Sequence, residues 1–540
     1  MLGMLRPLPR RLTRPATGLM LVVWVLVMGQ LVRQAVAASQ VSLAGDLSRY
    51  GSAAVWKGAY YRGEKIGFTV SQVTPRDDGY ELQEDGRLQM MLLGATSAAR
   101  LSTTARVDKA FALQSFSFSL DPGTGPIQIR GTLDGKRLLL NIKTPSGERT
   151  ETRDLPEAPR LALNLSRQLA ASGLEPGQVR ELMVFDPATL RNSPMRIEVE
   201  QREVVRAAGR PVPAFKVRSS FSGITGTSWI TDTGEVVREE SPTGLLVVRE
   251  TQEKATAMAV SGELRADILE AAAIVPTNAA RNKIDDPRAV ERLRVRIEGV
   301  ELAGKPDLDG AGQRSLGDEL EVRDLQRVKP TGRDAEAGRF LAPEPFLESD
   351  DPEIVAEAQR ALQGVATPRL RAERLVRHVN ALLEKKPTVS LPSAREVLRT
   401  RVGDCNEHTA LYVALARAAG LPARIAVGLV HVHGAFYYHA WAEVYVEEEG
   451  AGQWLPVDPT LNQFPADATH LRLARGGLEQ QAQILSYLGR ARLTITELVF
   501  RAGYDPVLVG RPSRDLRPFE IELPRRDGRG RSCWSFLRRN

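Results

Sequence analysis

The chain has 540 residues, a net charge of +7, and the apolar and charged fractions of a folded soluble protein. That length is too great for one ordinary core, so about two to four domains are expected, and collagen, a coiled coil and wholesale disorder are excluded. The charge sits at the ends: five Arg and no acid precede Ala38, and residues 525–540 carry six Arg and one Asp. The body between them is therefore slightly acidic, which removes a folded basic face for nucleic acid.

The first element, residues 1–38, has the form of an export signal. Four Arg come first, an apolar run covers 18–32, and Ala35-Val36-Ala37 makes a small-x-small cleavage pattern. The run falls short of the roughly 20 residues a membrane span needs, and Arg33 stands between it and the cleavage pattern. A cleaved signal and an uncleaved inner-membrane anchor both stay open. Either way the expected location is outside the cytoplasm, in the periplasm. With only Cys405 and Cys533 in the chain, an exported protein of this size has no disulfide framework.

Residues 39–260 read as an all-β, antiparallel region. Alternating runs recur at Ile66-Phe68-Val70, Phe116-Phe118-Leu120 and Leu138-Leu140-Ile142, separated by turn signals at Asp78-Gly79, Asp85-Gly86, Pro122-Gly123, Asp134-Gly135, Ser146-Gly147 and Thr233-Gly234. One helix is predicted over 158–172. A large meander, open or closed into a barrel, fits best. It carries no catalytic constellation and is expected to position its neighbour. Residues 261–345 form a small β-rich or linker region with strands at 293–297 and 320–322. There Asp307-Leu308-Asp309-Gly310 resembles the opening of a calcium loop but lacks its downstream ligands, so it reads as a turn.

Helical patterns follow in residues 346–475. One helix starts at Pro352 and stops before Gly364, a second covers 368–385, and a third covers 393–400. His378, on the second, reads as a surface or boundary residue. Next, Gly403-Asp404 breaks the chain, Asp404 is a good N-cap, and an apolar helix runs from Cys405 to the Gly420 and Pro422 stop. Cys405 thus falls in a first helical turn, where free N–H groups and the helix dipole favour a thiolate and can hold a developing oxyanion. After a strand at 424–430, the segment 435–446 places Tyr437, His439, Trp441, Glu443 and Tyr445 on one face. A hairpin centred between Glu448 and Glu449 sets His439 directly opposite Asp458, close enough for an imidazole–carboxylate hydrogen bond.

Three motifs in order, Gly403-Asp404-Cys405, His439-Ala440-Trp441-Ala442-Glu443 and Trp454-Leu455-Pro456-Val457-Asp458-Pro459-Thr460, together with Ala419-Gly420-Leu421-Pro422-Ala423-Arg424, resemble the transglutaminase-like superfamily of papain-like folds. The resemblance covers about 350–473. It implies an α+β papain-like core after the all-β region, and a catalytic triad of Cys405, His439 and Asp458 that needs no cofactor and no metal. It leaves the reaction open, since the superfamily holds crosslinkers, amidases, peptidases and inactive scaffolds.

The same residues also admit blander uses. Cys405 alone would be a buried structural cysteine, and Asp458 alone a turn residue before Pro459. His431 and His433 form a His-x-His pair on one strand face, which could bind zinc with Cys405 or His408; loop or cleft-rim histidines are the preferred reading. Trp441, His408 and Tyr437 are candidates for the substrate cleft. Residues 476–524 are a C-terminal extension and 525–540 a basic, solubilising tail. The expected function is hydrolysis of amide bonds in a protein or peptide through an acyl-enzyme. Glutamine crosslinking and a catalytically silent module that binds an envelope protein or polymer are the alternatives.

Overall fold

In the computed structural model the described residues run from Tyr50 to Tyr504, apart from 258–272, 300–305, 327–331, 387–390, 481–483, 485–490 and a few shorter turn positions. Residues 1–38, read from the sequence as an export signal, and the basic tail with Cys533 lie outside them. Among the described residues no helix is long and apolar enough to cross a membrane.

Alternating apolar residues between Val55 and Glu250 build a single antiparallel sheet of 14 strands. The first eight step outward one by one to Gly147–Asp154. The chain then crosses to the far edge at Val179–Asp186 and steps back until Leu245–Glu250 pairs with the first strand, Trp56 opposite Glu250. Among the described residues no ladder joins the two edges, but the sheet rolls over so that Phe185 on one packs 5.6 Å from Phe116 on the other side. The helix, Ala162–Ala171, lies inside this roll, with Leu165 and Leu169 packed on Val184, Ile197, Val217 and Ile230. The edge strand, GERTETRD, is rich in charge (Glu148, Arg149, Glu151, Arg153 and Asp154), which keeps it from templating further strands. Asp85-Gly86 is not a turn. It lies inside the strand Gly79–Leu92, paired with Val70 and Thr69 on one side and with Ser102 and Leu101 on the other. Gly86 is tolerated there because a 14-residue strand laddered on both sides outweighs one weak β-former.

This sheet docks on the second half of the chain. Phe346 and Leu391 join the buried cluster of Phe116, Ile129, Leu138 and Leu140. The Ser146 hydroxyl, at the tip of a hairpin, donates to Glu396. Glu396 belongs to the helix Ala394–Thr400, which runs straight into the Cys405 segment.

The second half has one core. The helices Pro352–Ala361, Pro368–Leu382 and Ala394–Thr400 surround the Cys405 helix, Cys405–Ala418. Ala410, Leu411, Tyr412, Val413, Ala414, Leu415 and Ala416 are all fully buried. That helix lies on a four-stranded antiparallel sheet ordered Ala451–Val457, Ala435–Glu448, Ala423–Val432, Leu471–Arg475. A second four-stranded sheet takes Val290–Glu298, Gln313–Leu316 and Glu319–Arg323 from one side of the core in sequence and Arg492–Phe500 from the other. The segments read separately as linker and extension therefore share one sheet, and its buried face (Val290, Leu293, Val295, Leu493, Ile495) merges with the helical core.

Gly428 is where this packing is tightest. It pairs with His439 on one side and Arg472 on the other. A Cβ there would lie 2.0 Å from the Leu471 carbonyl oxygen, a contact that only backbone movement relieves. Gly428→Ala is expected to push the Leu471–Arg475 strand outward at a cost of about 1–3 kcal/mol, read as a lower urea midpoint at unchanged slope.

Candidate active site

Asp404 caps the Cys405 helix. Its carboxylate accepts from the Asn406 N–H at 2.9 Å, and Glu407 reaches back to accept from the Asp404 N–H at 2.9 Å, a reciprocal capping box. The preceding Gly403 is required by contact, since a Cβ would land 2.3 Å from the Glu407 Cβ. Cys405 is half-buried at the start of this helix, against the backbone N–H of Ala440. Burial pushes its thiol well above the ordinary range, Asp404 and Glu407 add to the rise, and the Ala440 N–H opposes it. The sulfur thus lies beside the residue that follows His439.

His439 is buried and donates from Nε2 to Asp458 Oδ2 at 2.7 Å. This contact is not made in the expected register. The hairpin pairs Ala442 with Val457 and Glu448 with Ala451, so its centre lies one residue later than a turn between Glu448 and Glu449 requires. In that register Asp458 falls opposite Trp441 and diagonal to His439. The shift preserves the face, and an imidazole spans a same-face diagonal. Asp458 is fully buried. Besides His439, it accepts from the Thr460 N–H at 2.7 Å, the Leu461 N–H at 2.9 Å, and Nε2 of His470 at 3.1 Å. Burial would raise its carboxyl, but His439 and His470 hold it far below the usual carboxylate range. The loop that carries it is tied to the helix Pro368–Leu382 by Asn380, which donates to the Pro459 and Thr460 carbonyls.

The three cleft candidates part company. Tyr437 is half-buried. Trp441 is 1 % exposed, so it is a core aromatic: its ring stacks on His439 at 6.2 Å and meets His470 edge-on at 5.2 Å. His408 is fully buried, donates from Nδ1 to the Asp404 carbonyl at 2.7 Å, and has no partner at Nε2 among the described residues. The His-x-His pair does not share a strand face. His433 has a left-handed backbone in the turn His433-Gly434, whose two positive-φ residues suit a tight hairpin. His431 is a buried core residue rather than a rim residue, edge-on to Phe436 at 5.2 Å, and burial lowers it to about 4. His378 donates from Nε2 to the buried Glu357 at 2.6 Å.

Sequence reading missed His470, Asp467 and the setting of Glu443. Asp467 is buried and receives Thr469 N–H and O–H and the Gln463 amide. The signal for it was present in Asp467-Ala468-Thr469, an Asx-turn pattern. His439, Asp458 and His470 have side-chain nitrogen and oxygen atoms within 4.8 Å of one another. Both imidazoles spend a proton on the same Asp458 oxygen, so the donor set is that of a proton network rather than a cation site. The turn 307–310 likewise serves a guanidinium and not calcium: the carbonyls of Asp307 and Gly310 accept from Arg472 at 2.8 Å each.

A cysteine at a helix start, against a strand whose histidine is backed by a buried carboxylate, defines the class of papain-like cysteine folds. Residues 356–459 match the family described as the transglutaminase-like superfamily, and the chain carries a transglutaminase-like core there. The match ends one residue past Asp458, before Asp467 and His470. Several solved structures are similar, among them the following three. A candidate cysteine protease from Cytophaga hutchinsonii is 17% identical, covering 43% of this chain and 92% of its own, with a TM-score of 0.26. The periplasmic domain of TgpA from Pseudomonas aeruginosa, bound to ethylmercury, is 19% identical, covering 36% and 96%, with a TM-score of 0.23. A β-barrel-like protein of unknown function from Brucella abortus is 11% identical, covering 37% and 95%, with a TM-score of 0.29. No curated protein sequence matches the chain.

Proposed function

We propose that this protein is an exported cysteine enzyme that hydrolyses amide bonds of a protein or peptide through an acyl-enzyme, with Cys405 as nucleophile, His439 as general base and acid, and Asp458 as the group that orients His439. The observation that carries the reading is the buried His439–Asp458 hydrogen bond, 2.7 Å long, one residue along the strand from the N–H that faces Cys405. With Nε2 committed to Asp458, Nδ1 is the nitrogen left to take a proton from sulfur. The thiol proton passes to His439 as Sγ attacks the substrate carbonyl carbon. The C–N bond then breaks, the amine leaves with that proton, and a thioester remains. Water, deprotonated by His439, attacks the thioester, releases the acid and returns the proton to Cys405. N–H groups at the start of the Cys405 helix are suited to the oxyanion of each tetrahedral step. Export is proposed from the arginine-rich, apolar first 38 residues.

Because burial and three carboxylates, Asp404, Glu407 and Asp458, push the thiol up, activation has to come from His439. Iodoacetamide alkylation of Cys405 is therefore expected to proceed well below pH ~8.5 and to lose that acceleration in His439→Ala. An ordinary thiol profile, unchanged by the substitution, would sink the enzyme reading and leave a silent binding module. Amine-dependent incorporation into a test protein would turn hydrolysis into crosslinking.

A further inference from the structure

His470 has acceptors at both ring nitrogens. Nε2 faces Asp458 Oδ2 at 3.1 Å, and Nδ1 faces the Asp467 carbonyl at 3.1 Å and Asp467 Oδ1 at 3.3 Å. A neutral imidazole has one N–H and can satisfy one side only, whereas an imidazolium satisfies both. The ring is 3% exposed, so water cannot supply the missing donor. Both flanking carboxylates are themselves fixed: Asp458 by the Thr460 and Leu461 N–H groups, Asp467 by Thr469 and Gln463. Burial would lower His470, but Asp458 and Asp467 raise it to about 10.

We propose that His470 is a permanent imidazolium, a positioning residue that shares Asp458 with His439 and thereby sets how strongly His439 holds a proton. The inference rests on the triad reading above. Without His470, a fully buried Asp458 would bind a proton on His439 so firmly that His439 would be a poor acid for the leaving amine. The His470 charge, with ring centroids 5.9 Å apart, takes part of that carboxylate field. Among the described residues, other titratable groups facing this cluster include His431, within charge range of Asp467, and Lys385, within charge range of Asp458 and of His408. His431 and Lys385 approach from elements other than the His470 loop. His408 and Cys405, on the helix that starts at Cys405, are also within charge range of Asp458, while Asp404 and Glu407 act there on Cys405.

The test has two arms on the full chain. In wild type, nitrogen-15 NMR of the histidine rings is expected to show both His470 nitrogens protonated and unchanged between pH 5.5 and 8.5; a neutral tautomer, or titration in that range, overturns the proposal without any substitution. In His470→Gln, one donor to Asp458 survives and the charge does not. The alkaline inflection of Cys405 alkylation is then expected to move up by about one pH unit, while His470→Lys, which keeps the charge, leaves it near the wild-type value. Equal inflections in wild type and His470→Gln, at retained thermal stability, overturn it as well. Should wild type show only an ordinary thiol profile, the triad reading fails, and the NMR arm still decides the charge of His470.

Discussion

Asp458→Asn is expected to cut the alkylation rate of Cys405 at pH 7 by about 10⁴-fold, the scale on which a triad carboxylate acts when its loss leaves the histidine in the wrong tautomer. The substitution is nearly isosteric, yet it cannot serve this site. Asp458 receives four N–H donors, two imidazoles on Oδ2 and two backbone groups on Oδ1. An amide offers one acceptor oxygen and one NH2, so in either orientation donors meet donors. Turned one way, the NH2 faces His439 and His470 and expels Nε2–H of His439, so the proton moves to Nδ1, the nitrogen that must accept from sulfur. Turned the other way, the Thr460 and Leu461 N–H groups lose their partner, which costs about 1–3 kcal/mol for each buried donor. The wild-type carboxyl lies far below the usual range, so its own protonation plays no part in any loss of reactivity at mildly acidic pH. Second-order alkylation rates, with circular dichroism as a check on folding, decide the matter. A rate within a few-fold of wild type would remove Asp458 from the proposed machinery.

What the sequence reveals of this site is what local physics determines. Asp404 as cap, Gly403 as break and Cys405 in the first turn follow from short-range chemistry, and the helix Cys405–Ala418 begins where they place it. Alternation at Phe116-Phe118 and Leu138-Leu140-Ile142 is enough to place strands, because each buried residue alternates with a more exposed one. The hairpin register is off by one residue for a physical reason. Glu447 to Gly452 has the composition of a loop, yet Glu447 pairs with Gly452 and Glu448 with Ala451. Since the error leaves residue parity intact, the His439–Asp458 contact survives it. His470 and Asp467 were not legible, because their roles arise where an aperiodic loop returns to a strand twelve residues away, and nothing in the spacing marks that return. The sheet shared by Val290–Glu298 and Arg492–Phe500 is likewise a long-range pairing with no local signature. Trp441 was placed on the right face, but the second layer that covers that face, formed around His470 and Arg472, could not be read from the strand alone.

Glu443→Gln is expected to destabilise the folded state by about 3–5 kcal/mol, the cost of leaving buried charge without its partner. Glu443 is fully buried, and three guanidiniums converge on it: Arg424 at 2.7 Å, Arg475 at 2.9 Å, and Arg472. Arg472 is buried as well, and its remaining donors go to the Asp307, Leu308 and Gly310 carbonyls. One carboxylate thus ties the His439 strand to the strand that follows His470 and to the turn that leads into the accessory sheet. A glutamine keeps the shape but neutralises no positive charge, so the arginines must separate or draw in water, and the Leu471–Arg475 strand loosens next to His470. The pH dependence gives the expectation a sign. Burial alone would raise the Glu443 carboxyl, but Arg472, Arg475 and Arg424 hold it at about 2, against about 4.3 in an unfolded chain. A carboxyl depressed by folding contributes its full stability above the unfolded value and loses it as pH falls toward the folded one. The gap in urea midpoint between wild type and Glu443→Gln should therefore be widest near neutrality, begin to close below pH ~4.3, and be largely gone near pH ~2. A gap that stays constant from pH 7 to pH 3 would mean that the carboxylate acts through shape alone, and that the three arginines find their counter-charge elsewhere.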